Sequence, residues 1–351
     1  MQFVLQYASS FSGINSAMLA PTLTISVAFV RGILSGFGAR GLYQEEWLLA
    51  AGIAPTLLDE PAGRVTGAQY QALFQVLMAE FGDEGLGFFS RPLRTGSLAL
   101  VMRNALSATT VDQTIQRLCH AFALLQDDVQ VEIVHEGELT AVRMDAPIDF
   151  YPERMFIHEL LLRMFSRLVV WLHGGRIRPV SFDFAYPCPP QAEEYHKLFP
   201  GTVQFEQAYS AVWFSRAQLA TPLRRDEAAL RLYLSQDIRK ILIPQRNKDT
   251  TGEKVRAYLQ QVRPLWPDLP TTADALNISI STLQRHLAHD GTSFQMVKDQ
   301  LRRDLAIMRL NTSTVQLAEL AAELGFSDQA VFQRAFKTWT GSAPGAYRQQ
   351  D

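Results

Sequence analysis

The sequence predicts an α+β domain followed by an all-α domain in which two helix-turn-helix units are joined by a long helix. Three observations support this fold class. Strand-like runs occur only before residue 215, apolar residues recur only at helical spacing after residue 253, and a turn followed by a capped helix occurs twice in the C-terminal part. Because 351 residues exceed what one compact core usually organises, two domains are expected.

The composition is that of an ordinary folded protein. Hydrophobic residues make up 47% of the chain and charged residues 19%, which excludes the disordered and fibrous classes. Cys119 and Cys188 are too few for a disulfide framework and lie in no Cys/His cluster of the kind that a structural zinc site needs. No basic segment precedes Arg31, as it would in a secretory signal, and no run of about 18 apolar residues could span a membrane. We therefore expect a cytoplasmic protein without a cofactor, a metal or a membrane partner.

The first domain is expected to mix helices and strands. Amphipathic or strongly apolar spacing predicts short helices at Thr22–Gly38 and Glu45–Ala51, and longer helices at Thr66–Phe81, Thr110–Leu125 and Pro152–Leu172. Alternating or β-rich runs predict strands at Val129–Val134, Leu139–Met144, Pro179–Phe184, Val203–Phe205 and Val212–Phe214. The first two strands are close enough in sequence to form a hairpin.

The domain boundaries are placed where the periodic spacing of apolar residues is lost. After Ile243 the sequence becomes polar and non-periodic. The predicted organisation is a first domain at 1–236, with 1–21 expected to be disordered, a linker at 237–252 and an all-helical domain at 253–351.

Several acidic and histidine residues of the first domain could be imagined as acid/base pairs of an enzyme. They are Asp127, Asp128, His135, Glu136, Glu138, His158 and Glu159. Neither a second histidine at helical spacing nor a phosphate-binding glycine loop accompanies them, so surface charge or a hydrogen-bonded core histidine is the simpler interpretation. The charged residues of the apolar helix, Arg154, His158, Arg163 and Arg167, could bind an acidic ligand or could form the solvated face of that helix. No site is assigned to them.

The first helix-turn-helix unit is predicted from Thr271 onward. Thr271 or Thr272 can cap a short helix, and Asn277 tolerates a left-handed turn. Ser279 can cap a second helix whose Leu283 and Leu287 share one face.

The second unit repeats this pattern. A helix is expected from Val315 to Leu324, Gly325 supplies the turn, and Ser327 is expected to cap a helix that runs to Thr340. Aromatic residues of this unit are expected in its core, and they are Phe326, Phe332, Phe336 and Trp339. Gly341 is expected to stop the helix, and Pro344 to start a last short one.

The two units are joined by a helix predicted from Ser293 to Leu310. It would span roughly 27 Å, while successive major-groove faces of DNA lie about 34 Å apart. One chain could therefore present two helices to adjacent turns of a duplex.

The segment from Ala318 to Arg348, AELAAELGFSDQAVFQRAFKTWTGSAPGAYR, resembles the C-terminal signature of the AraC/XylS family of bacterial transcription regulators. Ser279–Leu287 and Gly291–Phe294 fit the first unit of that family, and the resemblance covers residues 250–351. It implies sequence-specific binding of double-stranded DNA.

The resemblance implies which residues of this chain contact DNA. The positions that read bases in the family correspond here to Ser281, Gln284, Arg285, Gln329, Ala330, Gln333 and Arg334, with Thr282 beside them. Arg can bind guanine through two hydrogen bonds and Gln can pair with adenine, while Ala330 could contact only a thymine methyl. Lys337 and the helix caps near Ser279 and Ser327 would hold phosphates.

The first domain looks like the arabinose-binding-like domain found in part of the same family. The supporting residues are Leu42–Ile53 with Pro55, Gly85–Gly87, and Tyr186–Pro190 with Tyr195, Leu198–Gly201 and Val203–Phe205. This resemblance implies a homodimeric activator that senses a small-molecule effector in its first domain and works with RNA polymerase. Two alternatives stay open: a first domain that only dimerises, and an enzyme with a repurposed DNA-binding tail.

Overall fold

The computed structural model describes residues 24–145, 152–235 and 250–348. The helices of its first part are α1 (Val27–Gly38), α2 (Glu46–Ala50), α3 (Gly67–Phe81), α4 (Ser97–Ala105), α5 (Val111–Leu125), α6 (Pro152–Leu172), α7 (Tyr195–Leu198), α8 (Arg216–Leu219) and α9 (Glu227–Ser235). Short 3-10 helices lie at Pro55–Asp59 and Ala192–Glu194. The strands are β1 (Thr24–Ser26), β2 (Arg64–Thr66), β3 (Gln130–Glu136), β4 (Leu139–Asp145), β5 (Ser181–Asp183), β6 (Thr202–Gln204) and β7 (Ser210–Ser215).

The main sheet has the strand order β3-β4-β7-β5-β6. Strands β3 and β4 form the predicted hairpin, with Gln130 opposite Asp145 and Gly137 at a φ of 54° in the tight turn. Strands β5 and β6 pair in parallel, whereas every other neighbouring pair in this sheet is antiparallel. The predicted strands are thus confirmed, and the first domain is a mixed α/β unit.

A second, two-stranded sheet was not predicted. Strand β1 pairs antiparallel with β2, with Thr24 opposite Thr66. Each strand has only three residues, too few to show an alternating pattern. Each runs directly into a helix, β1 into α1 through the cap Ser26 and β2 into α3 through the cap Thr66.

The longer helices begin where the sequence predicted, because suitable capping side chains are in place. Thr66 accepts a hydrogen bond from the Gln69 N–H, and the Gln69 side chain binds back to the Thr66 N–H in a capping box. Thr110 caps α5 in the same way through the Gln113 N–H. The chain leaves α6 through Gly174 and Gly175, both at positive φ.

From residue 250 to residue 348 the described chain is entirely helical. Its helices are α10 (Thr251–Gln261), α11 (Leu269–Ala275), α12 (Ile280–His289), α13 (Phe294–Thr312), α14 (Leu317–Glu323) and α15 (Gln329–Thr340), followed by a 3-10 helix at Pro344–Tyr347. Helix α10 begins at Thr251, inside the range predicted as linker. The rest of that linker up to 249, and the segment 1–21 predicted as disordered, lie outside the described residues. Among the described helices, none combines the length and apolar character needed to cross a bilayer.

Helix α6 lies at the centre of the first domain and not at its surface. It packs against α1, α5, β4 and β7. Its charged residues His158, Glu159 and Arg163 are at most 4% exposed, so the expectation of a solvated face is wrong for them. The side chain of Arg154 lies outside the described part of the chain. Neighbouring elements cover this helix on several sides, whereas an amphipathic helix is covered on one face only.

Two buried polar side chains of α6, His158 and Glu159, form hydrogen bonds with surrounding elements. The His158 Nδ1 lies 2.8 Å from the Ser210 Oγ, and the Tyr195 hydroxyl donates a hydrogen bond to Glu159. Burial lowers the pKa of His158 to about 4. Burial raises the pKa of Glu159 from its usual 4.5 to about 7, against the lowering effect of Tyr195 and Arg163. His158 is therefore a neutral, hydrogen-bonded core histidine.

The raised pKa of Glu159 predicts a specific pH dependence of stability. In the unfolded chain this carboxyl ionises near pH 4.5, whereas in the folded chain it keeps its proton up to about pH 7. Its contribution is thus complete below pH 4.5 and is lost as the pH rises through 7. Relative to a Glu159→Gln variant, the wild type should lose about 3 kcal/mol of unfolding free energy across this window.

Urea unfolding of both proteins at several pH values measures this difference. His158 titrates in both proteins, so its opposite effect cancels in the comparison. A difference that stays constant from pH 4 to pH 8 would contradict the raised pKa.

Candidate nucleic-acid interface

Helices α11 and α12 are connected by a tight turn at Asn277, which has a φ of 55° as predicted. Ser279 caps α12 and accepts a hydrogen bond from the Thr282 N–H at 3.1 Å, also as predicted. The cap of α11 differs from the prediction. Asp268, and neither Thr271 nor Thr272, caps this helix by accepting from the Thr271 N–H. Its carboxylate also complements the positive end of the helix dipole.

Helix α12 has one buried face and one open face. Leu283 and Leu287 are buried and fix the helix against its neighbours. The residues with DNA contacts implied by the sequence lie elsewhere on the helix: Ser281, Gln284 and Arg285 are exposed and Thr282 is half-buried. The hydroxyls of Ser281 and Thr282 lie 3.0 Å and 2.8 Å from the Ser279 Oγ. The arrangement leaves the side chains of Gln284 and Arg285 available to a partner.

Helices α14 and α15 repeat this geometry around Gly325, which has a φ of 72°. A side chain at this position would clash with Trp266, because a Cβ would lie 2.5 Å from its ring. The predicted cap Ser327 is wrong. Asp328 caps α15 through the Val331 N–H at 2.8 Å, and the Ser327 hydroxyl donates to the Asp328 carboxylate. The chain enters the helix one residue later than predicted, and the stronger acceptor takes the cap.

The open face of α15 carries the other predicted contact residues. Gln329, Ala330, Arg334 and Lys337 are exposed, and Gln333 is half-buried. The hydrogen bond from the Val331 N–H holds the pKa of Asp328 below its usual value, and Arg334 contributes in the same direction. Asp328 therefore stays a carboxylate at the N-terminus of α15.

The aromatic residues of the second unit form its core, as predicted. Phe332 and Phe336 are fully buried, with ring centroids 5.7 Å apart. Phe326 and Trp339 are partly buried against them. Gly341, at a φ of 78°, ends α15 before the 3-10 helix that starts at Pro344. The rings are occupied by packing and are not available to stack on bases.

Helix α13 lies between the two pairs and contacts both. Its Arg302 guanidinium lies between two rings, 4.9 Å from the centroid of Trp266 and 4.8 Å from that of Phe326. Trp266 precedes the first pair and Phe326 lies in the turn of the second, so this side chain connects the second pair with the segment that leads into the first. Because Arg302 is only half-buried, each of these cation–π contacts is worth about 0.5–2 kcal/mol.

Glu323 at the end of α14 provides a second connection. Its carboxylate binds Arg263 at 2.9 Å and Arg309 of α13 at 3.1 Å. The Trp266 ring donates its N–H to the Glu323 carbonyl at 3.0 Å. These bonds fix the placement of α14 relative to α13 and to the chain that precedes α11.

Helix α13 also contacts the first domain. Asp304 is 2% exposed and forms an ion pair with Arg256 of α10 at 2.7 Å. Thr24 of β1 donates its hydroxyl to the same carboxylate at 2.5 Å. Arg64 of β2 binds the Thr24 hydroxyl at 2.7 Å and Glu194 at 3.0 Å. A buried polar network thus runs from the small β1–β2 sheet into the middle of α13.

Two further hydrogen bonds join the domains beside this network. The Arg64 N–H donates to the Tyr347 hydroxyl at 3.1 Å. Gln69, in the first turn of α3, donates to the Asn311 side chain near the end of α13 at 2.7 Å. The first domain therefore contacts both the joining helix and the C-terminal 3-10 helix.

This network could not be predicted from the sequence, because Asp304 pairs with residues far away in the chain. The caps Asp268 and Asp328 could have been found. Each is an Asp three residues before the N–H that it binds, and Pro270 near the start of α11 marks the first turn of that helix.

Four of the residues imagined as acid/base pairs, Asp127, Asp128, His135 and Glu136, bind neighbouring side chains or backbone groups. Asp127 pairs with Arg91, and the Asp128 carboxylate accepts hydrogen bonds from Ser90. The His135 Nδ1 lies 2.9 Å from the Thr140 hydroxyl. The Tyr209 hydroxyl donates to Glu136. Their contacts give them structural roles within the sheet and its loops.

Comparison with known proteins agrees with this organisation. A family model described as the arabinose-binding domain of AraC transcription regulator, N-terminal, matches residues 41–223, and a helix-turn-helix domain model matches residues 272–350. The ornithine utilization regulator of Pseudomonas aeruginosa is 27% identical over 326 residues, which cover 93% of this chain and 96% of that protein.

Other relatives have the same character. An uncharacterised HTH-type transcriptional regulator of Mycobacterium tuberculosis is 26% identical over 88% of this chain and 91% of its own length. The crystal structure of the transcriptional regulator CdpR from Pseudomonas aeruginosa overlaps 92% of this chain and 98% of that one, at 20% identity and a TM-score of 0.32. The arabinose-binding model alone covers more than half of the chain. The chain therefore belongs to the AraC family of transcription regulators, and it is a DNA-binding regulator with an arabinose-binding-like N-terminal domain.

Proposed function

We propose that the chain reads a specific DNA sequence through two helix-turn-helix units, α11–α12 and α14–α15, and that a small molecule bound by the first domain controls this reading. The observation that supports the proposal most strongly is that the same local arrangement of turn, cap and helix occurs in both pairs. In both pairs a positive-φ turn leads into a capped helix with apolar residues buried on one face and Gln and Arg exposed on the other.

The exposed residues have the chemistry required for base recognition. Arg285 and Arg334 can each bind the O6 and N7 of guanine, and Gln284, Gln329 and Gln333 can pair with adenine. Ser281 and Thr282 offer hydroxyls to bases or phosphates, whereas Ala330 can contact a thymine methyl.

The two caps differ in what they can offer to a phosphate. The N-terminus of α12 is capped by the neutral Ser279, so its amides remain attractive to an anion. At α15 the Asp328 carboxylate occupies that position and repels phosphate. We therefore assign phosphate contacts to Ser279 and Lys337, whereas the Ser327 hydroxyl donates to the Asp328 carboxylate and would have to break that hydrogen bond to reach a phosphate.

The joining helix has a suitable length. Its 19 residues correspond to about 28 Å along the helix axis, compared with about 34 Å between successive major-groove faces. The width of the two units covers the difference. The contacts of Arg302 and Glu323 keep this spacing rigid.

Control by an effector is supported by the contacts between the domains. Thr24 and Arg64 bind Asp304 and Tyr347, so a change in the small sheet displaces partners of α13. We propose that an effector changes operator affinity by a coupling free energy of about 1–3 kcal/mol. The protein then acts as a homodimer and, together with RNA polymerase, as an activator. The name of the Pseudomonas relative, an ornithine utilization regulator, agrees with a role in controlling a metabolic gene set.

Replacing a base-reading arginine should reduce sequence preference. We expect Arg285→Ala and Arg334→Ala each to cost about 1–3 kcal/mol at the selected operator and to relax the preference at one base position. The measurement is fluorescence anisotropy with the full chain, using an operator selected from random DNA and variants of it with single substitutions.

Two variants serve as controls for this experiment. Lys337→Ala should weaken all sequences evenly and reduce the salt slope by about 1, since it contacts phosphate. Arg40→Ala removes an exposed cation from the first domain and should change nothing. Unchanged operator affinity in both Arg285→Ala and Arg334→Ala would refute the proposed readout.

The capping assignment leads to a second prediction. Asp328→Ala should lower the urea midpoint of unfolding, because the Val331 N–H loses its acceptor, whereas Ser327→Ala should leave the midpoint unchanged. The two exposed, neighbouring positions form a matched pair. The opposite order of effects would restore Ser327 as the cap.

A further inference from the structure

The first domain contains a cavity of about 150 Å³ between α3, α4, α5 and α6. Its lining comes from four helices and one loop that meet around it. Phe74 and Met78 come from α3, Leu98 and Val101 from α4, Leu118 and Phe122 from α5, and Leu160, Leu161 and Met164 from α6. None of these residues belongs to the nucleic-acid interface or to the polar cluster around Glu159.

The chemistry of the cavity is almost wholly apolar. Of the residues lining it within the described part of the chain, Glu84 alone carries a charge. Its two carboxylate oxygens accept hydrogen bonds from the Gly96 and Leu98 N–H groups at 2.7 Å and 2.8 Å. An anionic ligand would meet this carboxylate and no basic lining residue. A neutral ligand would meet apolar side chains, the hydroxyls of Thr95 and Ser97, and the Glu84 carboxylate, whose two oxygens each keep a free lone pair.

The size of the cavity limits the ligand further. An apolar cavity of about 150 Å³ stays free of water and takes up a molecule the size of benzene. One rim is accessible, because Thr95 is exposed and Leu98 is half-buried. A small molecule can therefore approach from the side of α4 without opening the main sheet.

The position of the cavity connects it with the contacts between the domains. Phe74 and Met78 lie on α3, and the first turn of the same helix holds Gln69, which binds Asn311 of α13. Arg64, which binds the Tyr347 hydroxyl through its N–H, lies in the strand that leads into α3. A ligand that displaces α3 would move both contacts.

We propose that this cavity is the effector site and that it takes an uncharged, largely apolar molecule of about the size of one aromatic ring. The inference rests on the ligand control proposed above and specifies its chemistry. Ligand in the cavity presses on α3 and α6, and α3 transmits the change to α13 through Gln69 and Asn311.

The test uses the full-length chain and toluene as the probe, with benzoate as its anionic counterpart. Calorimetric titration without DNA should show saturable toluene binding in a 1:1 ratio and benzoate binding at least tenfold weaker. No saturable toluene binding, or benzoate binding of equal affinity, would overturn the proposal.

Two substitutions on the same helix locate the site. Leu98→Trp fills the rim of the cavity and should abolish toluene binding, whereas Leu100→Trp, at a side chain that is 62% exposed and not part of the lining, should retain it. A third variant, Leu160→Ala, enlarges the cavity and should shift the preference from toluene to naphthalene. Equal toluene affinity in Leu98→Trp and wild type would overturn the assignment, and so would an unchanged preference in Leu160→Ala.

A separate measurement connects the cavity with regulation. Saturating toluene should change the operator affinity of the wild type by fivefold or more and leave that of Leu98→Trp unchanged. Toluene binding with no change in operator affinity would overturn the cavity as an effector site while DNA binding stands. If the ligand-free wild type selects no DNA sequence, the proposed function is overturned instead. The two failures can be told apart, because toluene binding is titrated without DNA.

Discussion

The C-terminal helical domain depends on how helix α13 is held. Arg302 lies between Trp266 and Phe326, and Glu323 binds Arg309 of α13 and Arg263 from the chain that precedes α11. These contacts connect α13 and the second helix pair with the segment that leads into the first pair, and each pair alone would be too small to bury a full core. When α13 is held in this way, the fold fixes the distance and the angle between the exposed faces of α12 and α15. The proposed reading of two adjacent segments of DNA by one chain follows from this rigidity.

The same helix receives the contacts of the first domain. Its Asp304 has the Arg256 guanidinium on one side and the Thr24 hydroxyl on the other, and all three groups lie away from water. Breaking a buried pair of this kind costs about 3–5 kcal/mol, so the network resists partial opening and favours two discrete arrangements. An effector that biases the small sheet or α3 then acts on DNA binding without touching DNA. The position of the apolar cavity beside α3 agrees with this route.

Much of the fold could be predicted from the sequence because its signals are local. The β3–β4 hairpin, the capping box at Thr66 and the turn at Asn277 each depend on a few neighbouring residues. What could not be predicted depends on residues distant in the chain. The β1–β2 pair has too few residues to show a pattern, and the burial of His158 and Glu159 requires a sheet on one side of α6 and helices on the others. The choice of Asp328 over Ser327 as the cap depends on where the turn after Gly325 ends. The predicted contact residues of α12 and α15 remain proposals until DNA binding is measured.

The most direct test of the central claim changes the DNA and leaves the protein intact. The full chain is titrated against its selected operator and against the same operator with five base pairs inserted between the segments assigned to α12 and α15. Since a helical turn of DNA is about 10–10.5 base pairs, the insertion turns one segment to the opposite side of the duplex. A rigid α13 predicts that the insertion weakens binding as much as scrambling one whole segment does. Equal affinity for the two operators would show that the helix pairs act independently and would contradict the account.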